Sequence, residues 1–140
     1  MSITSLTTAE YEMLLDPQVV KWDQFHTAIL ESISNRRATN ENNAKSRRHA
    51  YITDIEHASD AVKLDYPDVI ANYVDQRRRD DWSSCIVVLT SAFESCLSLG
   101  LKHGENNPLK PESNQFWRSH GHQLIPSMRG KYVTSLVLFS

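Results

Sequence analysis

The densest gathering of chemistry-bearing side chains is Arg118-Ser119-His120-Gly121-His122. Two imidazoles two residues apart share a side only where the backbone is extended, and with His103 as a third donor they would suit a tetrahedral zinc site. The nearest carboxylates in the sequence are Glu105 and Glu112, and a His-x-His pair in a polar loop needs no ligand to explain it. The expectation is imidazoles facing water, with no metal and no cofactor.

Glycine removes several further chemistries. Gly100, Gly104, Gly121 and Gly130 are the only four, and they cannot be arranged into a dinucleotide fingerprint or a phosphate-cradling loop. There is also no nucleophile elbow, no His-Glu-x-x-His, no Cys-x-x-Cys and no calcium loop. Cys85 and Cys96 are the only thiols. Eleven residues along one helix separate them by about 16 Å, against the roughly 7 Å that a disulfide spans, so both are expected free and buried. An apolar helical face with no base beside it gives neither thiol nucleophilic character. Glu94 stands at the edge of the same face, where a carboxylate pairs with a cation from a neighbouring helix, here Arg129 or Arg118.

The net charge of −2 hides a strong segregation. Residues 1–35 carry −4, 36–48 carry +4, 49–76 carry −5 and Arg77-Arg78-Arg79 adds +3. The acidic blocks offer Glu10, Glu12, Asp23 and Glu31, then Asp54, Glu56, Asp60, Asp68 and Asp75, as carboxylates for a basic protein partner. The basic blocks offer Arg36, Arg37, Arg47 and Arg48, then Arg77, Arg78 and Arg79, which could converge on phosphates. A sequence pI of 6.3 weighs against a dedicated nucleic-acid binder. A third arrangement has the blocks neutralise one another across a bundle.

The elements that must hold these groups read as helices. Thr7 and Glu10 have capping-box spacing and open a short helix with Tyr11, Leu14 and Leu15. Asp16-Pro17 starts a second, to about Asn35, with Trp22, Phe25, Ile29 and Ile33 as its stripe. Residues 36–48 hold no large apolar side chain and are expected as a polar basic loop or solvated helical turns. Periodicity returns at Tyr51, Ile52, Ile55 and Val62, and Tyr66-Pro67 ends that helix and starts a fourth, over 67–79. Asp80-Asp81 caps a fifth, the most apolar, through Trp82, Ile86, Leu89, Phe93, Cys96 and Leu97, with Gly104 placed to end it. Its run Cys85–Thr90 is the one stretch that could instead be a buried strand. A short helix is expected over 113–123. Pro126 and Gly130 then break the chain, and 131–139 reads as a strand, apolar on both faces and with no second strand to pair it, which points to a homodimer through that edge.

Residues 79–103, with Phe93-Glu94, resemble the opening helix of HEPN-type helical domains. Among those domains, ribonucleases carry an arginine followed after four to six residues by a histidine on a later helix. That resemblance would cast Arg118, His120 and His122 in RNA cleavage, although the spacing here is one residue short.

The chain is thus expected to be mostly α, one domain over residues 1–140, a bundle of five or six helices with a short C-terminal strand. No basic segment precedes an apolar run at the start, and no uninterrupted apolar stretch approaches the roughly 18 residues of a membrane span, which favours a cytoplasmic address without membrane attachment. The function expected is non-enzymatic: a small inhibitor or adaptor that binds a larger protein through charged helix faces. The alternative is a nucleic-acid-directed helical domain, as in a divergent HEPN-like ribonuclease.

Overall fold

The computed structural model describes residues 6–38, 44–62 and 66–138, which form six α-helices and, among the described residues, no strand. The order is α1 (Thr8–Leu14), α2 (Pro17–Ala38), α3 (Ala44–Val62), α4 (Pro67–Arg78), α5 (Trp82–Asn106) and α6 (Pro111–Leu138).

Local chemistry sets the helix starts. The Glu10 N–H donates to Thr7 Oγ1 at 3.1 Å, and the Gln18 N–H donates to Asp16 Oδ1 at 3.0 Å in front of Pro17. Asp80 takes a left-handed φ of 58°, a conformation that short polar side chains tolerate, and turns the chain into Asp81. There Asp81 Oδ1 accepts the Ser84 N–H at 3.1 Å and Oδ2 accepts the Ser84 hydroxyl at 2.6 Å.

α5 is the central helix and packs against α1, α2, α4 and α6, while the α2–α3–α4 side closes through α2 on α3 and α3 on α4. From α2 onward sequential helices run antiparallel, as paired positions show: Ser32 and Ile33 meet Asp54 and Tyr51, and Glu94 and Glu105 of α5 meet Arg129 and His122 of α6. Phe93 of α5 stacks on Tyr132 of α6 at 4.3 Å, and the ring of His26 on α2 meets the same tyrosine at 4.5 Å. Trp22, Phe25, Ile29, Leu89, Leu97 and Met128 complete this fully buried centre. Phe93 and Trp22 stand in the core where their stripes put them, and both cysteines are free and buried.

The C-terminal strand is replaced by helix. Residues 111–138 form one helix that runs through Pro126 and Gly130. Trp117, Gly121, Met128, Tyr132 and Leu136 are buried along it at steps of four and seven. Tertiary burial along that stripe outweighs the backbone hydrogen bond lost at Pro126 and the β-branched composition of the last two turns. The same holds for Cys85–Thr90, which is helical. The pairing edge that suggested a dimer therefore does not exist at 131–138; Phe139 lies outside the described residues.

Gly104 does not end α5 either, because the helix continues to Asn106. A Cβ at Gly104 would lie 2.8 Å from Trp117 Cγ, and one at Gly121 would lie 1.9 Å from Leu101 Cδ1. At both glycines a side chain of the facing helix fills the space that a Cβ would need. Of the basic segment 36–48, residues 36–38 close α2 and 44–48 open α3, and the rest lies outside the described residues. Finally, α5 is long and apolar enough, by length and composition, to cross a membrane, with 44% of its most apolar window buried in the bundle. Counting uninterrupted apolar residues missed it because Ser, Thr and Gly interrupt the run.

Candidate functional site

The antiparallel order decides where the charges go. Tyr51 Oη donates to Ile33 O at 3.4 Å, and the Arg77 guanidinium lies 5.6 Å over the Tyr51 ring. The last turn of α2, the first of α3 and the last of α4 therefore share one end of the bundle. All three arginine clusters have their backbone there; the side chains of Arg36, Arg37 and Arg47 lie outside the described atoms.

Of the other arginines at this end, Arg48, Arg77 and Arg79 are engaged from within the fold. Arg77 is also 5.2 Å over the Trp82 ring, so it is held between two aromatic faces. Arg48 Nη1 lies 3.9 Å from Asp80 Oδ2, and Arg79 Nε lies 3.3 Å from Asp75 Oδ2. Arg78 is exposed and points along the flank of α4 that faces α3.

On that flank a groove runs between α3 and α4. Glu56 and Asp60 stand on the α3 wall, Pro67, Ile70, Ala71 and Val74 supply the α4 wall and floor, Ser59 lies at the base and Arg78 closes one end. Val74 and Ser59 are buried and Ile70 is half-buried. The Ser59 hydroxyl is satisfied by donating to Glu56 O at 2.8 Å, so the base of the groove offers a partner mainly apolar surface. Glu56 and Asp60 are exposed, one helical turn apart, and form no ion pair among the described residues.

The remaining acidic residues divide. Asp68 is exposed and lies on the opposite flank of α4, beside Val69 and the exposed Val87 of α5. Glu12 and Glu31 are exposed on α1 and α2, and Asp23 is half-buried. Asp54 accepts the Ser32 hydroxyl at 3.3 Å, and Asp75 is taken by Arg79. Glu10 does not face solvent at all: it is 2% exposed. Its carboxylate accepts from Lys131 Nζ at 2.7 and 3.0 Å and from the Ser127 hydroxyl at 3.3 Å. It is a structural tie between α1 and α6.

The histidine run is split by helix geometry. His120 turns back on Phe116, with the rings 5.0 Å apart, and His122 Nε2 lies 3.6 Å from Glu105 Oε1 on α5. Among the described residues no three His, Cys, Asp or Glu side chains gather at metal-binding distance. The residues of the HEPN resemblance are also separated. Glu94 is taken by Arg129 Nη1 at 3.0 Å, while His122 meets Glu105, eleven residues further along α5, about 16 Å away. Burial pushes the Cys85 thiol up to about 12 and raises the Cys96 thiol as well, which leaves no thiolate for nucleophilic chemistry near neutral pH.

Two features escaped sequence reasoning. One is the groove floor: Val69, Ile70, Tyr73 and Val74 read as a single stripe, and only the packing of α4 between two neighbours shows that Ile70 serves the α3 side and Val69 the α5 side. The other is His26, fully buried and with neither ring nitrogen hydrogen-bonded. Its position one residue past Phe25 in the α2 stripe was the available signal. No family model, curated protein or solved structure matches the chain.

Proposed function

We propose that this protein is a non-enzymatic interaction module, an inhibitor or adaptor, which binds a larger protein through the carboxylates of its α3–α4 side. The observation that carries this is an asymmetry in how charge is used. Glu56, Asp60 and Asp68 are exposed without an ion pair among the described residues, whereas Arg48, Arg77 and Arg79 are engaged by Asp80, two aromatic rings and Asp75, which leaves Arg78 as the one arginine without such a partner among the described side chains at this end. Exposed carboxylates steer a basic partner and favour fast encounter. Arginines already held by carboxylates have less to offer a phosphate.

One observation favours a second reading, in which the chain is directed to RNA or DNA: the up-and-down topology brings the three arginine clusters to one end. The two readings separate by binding measured at low and moderate salt with a fluorescent lysine-rich peptide and a fluorescent single-stranded RNA. Interaction through the carboxylates gives salt-sensitive retention of the peptide alone. RNA retention that collapses on charge reversal of Arg36, Arg37, Arg47 and Arg48 would replace the first reading with the second.

A further inference from the structure

Resting on that reading, we infer that the α3–α4 groove is the seat of a basic amphipathic helix contributed by the partner. The shape of the groove argues for a helix. Among the described residues, α3 packs only against α2 and α4, and α4 only against α3 and α5. The outer valley between them is therefore uncovered, and a valley between two antiparallel helices receives a third helix by interlocking side-chain ridges. No sheet edge exists among the described residues to capture an extended segment. The α4 wall, Pro67–Arg78, has 12 residues, about 18 Å, which accommodates about three helical turns.

The chemistry of the walls specifies the occupant. Half-buried Ile70 and exposed Ala71 leave apolar surface open above the buried Val74 one turn further on, so the floor takes apolar side chains spaced i, i+3 or i+4 on the partner, the pattern of helix-in-groove recognition. Glu56 and Asp60, also one turn apart, face the side of such a helix and call for lysine or arginine flanking its apolar stripe. The valley is also polar along its length. α3 ends beside the start of α4, so Asp60 lies toward the Pro67 end and Arg78 closes the other. The cations of the partner helix are thus directed toward the Pro67 end, and a carboxylate is favoured beside Arg78.

The test uses the full chain with two fluorescent peptides of the same leucine and lysine composition, one with an amphipathic stripe and one scrambled to have none, read by anisotropy. The proposal expects the striped peptide to bind more tightly. Glu56→Lys with Asp60→Lys should weaken it by about tenfold or more, and Arg78→Glu should strengthen it. Circular dichroism of the free and bound peptide should show helix gained on binding. Ala71→Gln, which narrows the groove without changing charge, separates groove occupancy from general attraction and should also weaken the striped peptide.

If both peptides bind equally and Ala71→Gln is silent, the groove proposal is overturned while binding through surface carboxylates stands. If neither peptide binds and single-stranded RNA does, the underlying reading falls together with it. Melting curves of each variant confirm that any loss comes from the surface.

Discussion

Lowering the pH from 7 to 5 should destabilise this protein mainly through one side chain. His26 is 0% exposed, packs on Tyr132 and has no hydrogen bond to either ring nitrogen. Burial lowers its pKa from 6.5 to about 4. The unfolded chain therefore binds the proton first as pH falls, so this contribution to stability is complete above pH 6.5 and lost by about pH 4. The whole shift of about 2.5 units corresponds to about 3 kcal/mol, of which about 2 kcal/mol is lost between pH 7 and pH 5. Asp81 is held below its usual carboxylate range by the Ser84 hydroxyl and N–H, and its contribution is lost only at still lower pH. The pH 7 to 5 window thus favours the histidine. His26→Leu removes the titrating group and any cost of burying two unpartnered nitrogens, so at pH 7 the variant should be within about 1 kcal/mol of the parent or above it. Urea unfolding followed by tryptophan fluorescence at both pH values supplies the comparison. Equal losses for parent and variant between pH 7 and 5 would show that His26 is not held neutral in the core.

Further outcomes follow from the α5–α6 seam and its ties. Gly121→Ala should destabilise by about 1–3 kcal/mol, because Leu101 must leave the space that the new methyl takes. Gly130→Ala, with nothing within 4 Å of the new Cβ, should stabilise by about 0.5–1 kcal/mol; a loss there would mean that α6 does not continue through this point. Lys131→Met leaves the Glu10 carboxylate buried without its cation and should cost about 3 kcal/mol, a deficit that adding Glu10→Gln should partly restore. A thiol reagent at pH 8 should label neither Cys85 nor Cys96 until denaturant is added.

Helix starts were legible in the sequence because they depend on short-range chemistry: Thr7, Asp16 and Asp81 act within three residues of their own positions. The core was legible as stripes at steps of three and four, from Trp22 to Ile33 and from Leu89 to Leu97. That Glu94 takes a cation from a neighbouring helix, Arg129 or Arg118, followed from the cost of leaving a carboxylate uncompensated at an apolar edge, and the fold selects Arg129. What failed depended on distant parts of the chain. Pro126, Gly130 and the β-branched residues after them are local signals against helix, and they lose to the burial of Met128, Tyr132 and Leu136 against α5 and α2. Gly104 looked like a stop because glycine often ends helices, yet here it admits the Trp117 ring. Glu10 looked like part of an acidic surface, since nothing nearby in sequence announces Lys131, 121 positions away. Charge blocks could be counted from the sequence, but whether arginines meet phosphates or the protein's own carboxylates is decided by which helix ends the topology brings together.

The most direct test of carboxylate-mediated binding is an amide-resolved NMR titration of the full chain with the striped leucine–lysine peptide. The account predicts shifts concentrated in residues 56–60 and 67–78, with α6 and the α2 end of the arginine cluster undisturbed. Shifts centred instead on the first turn of α3 and the Arg118–His122 turn, or none at saturating peptide, would contradict it.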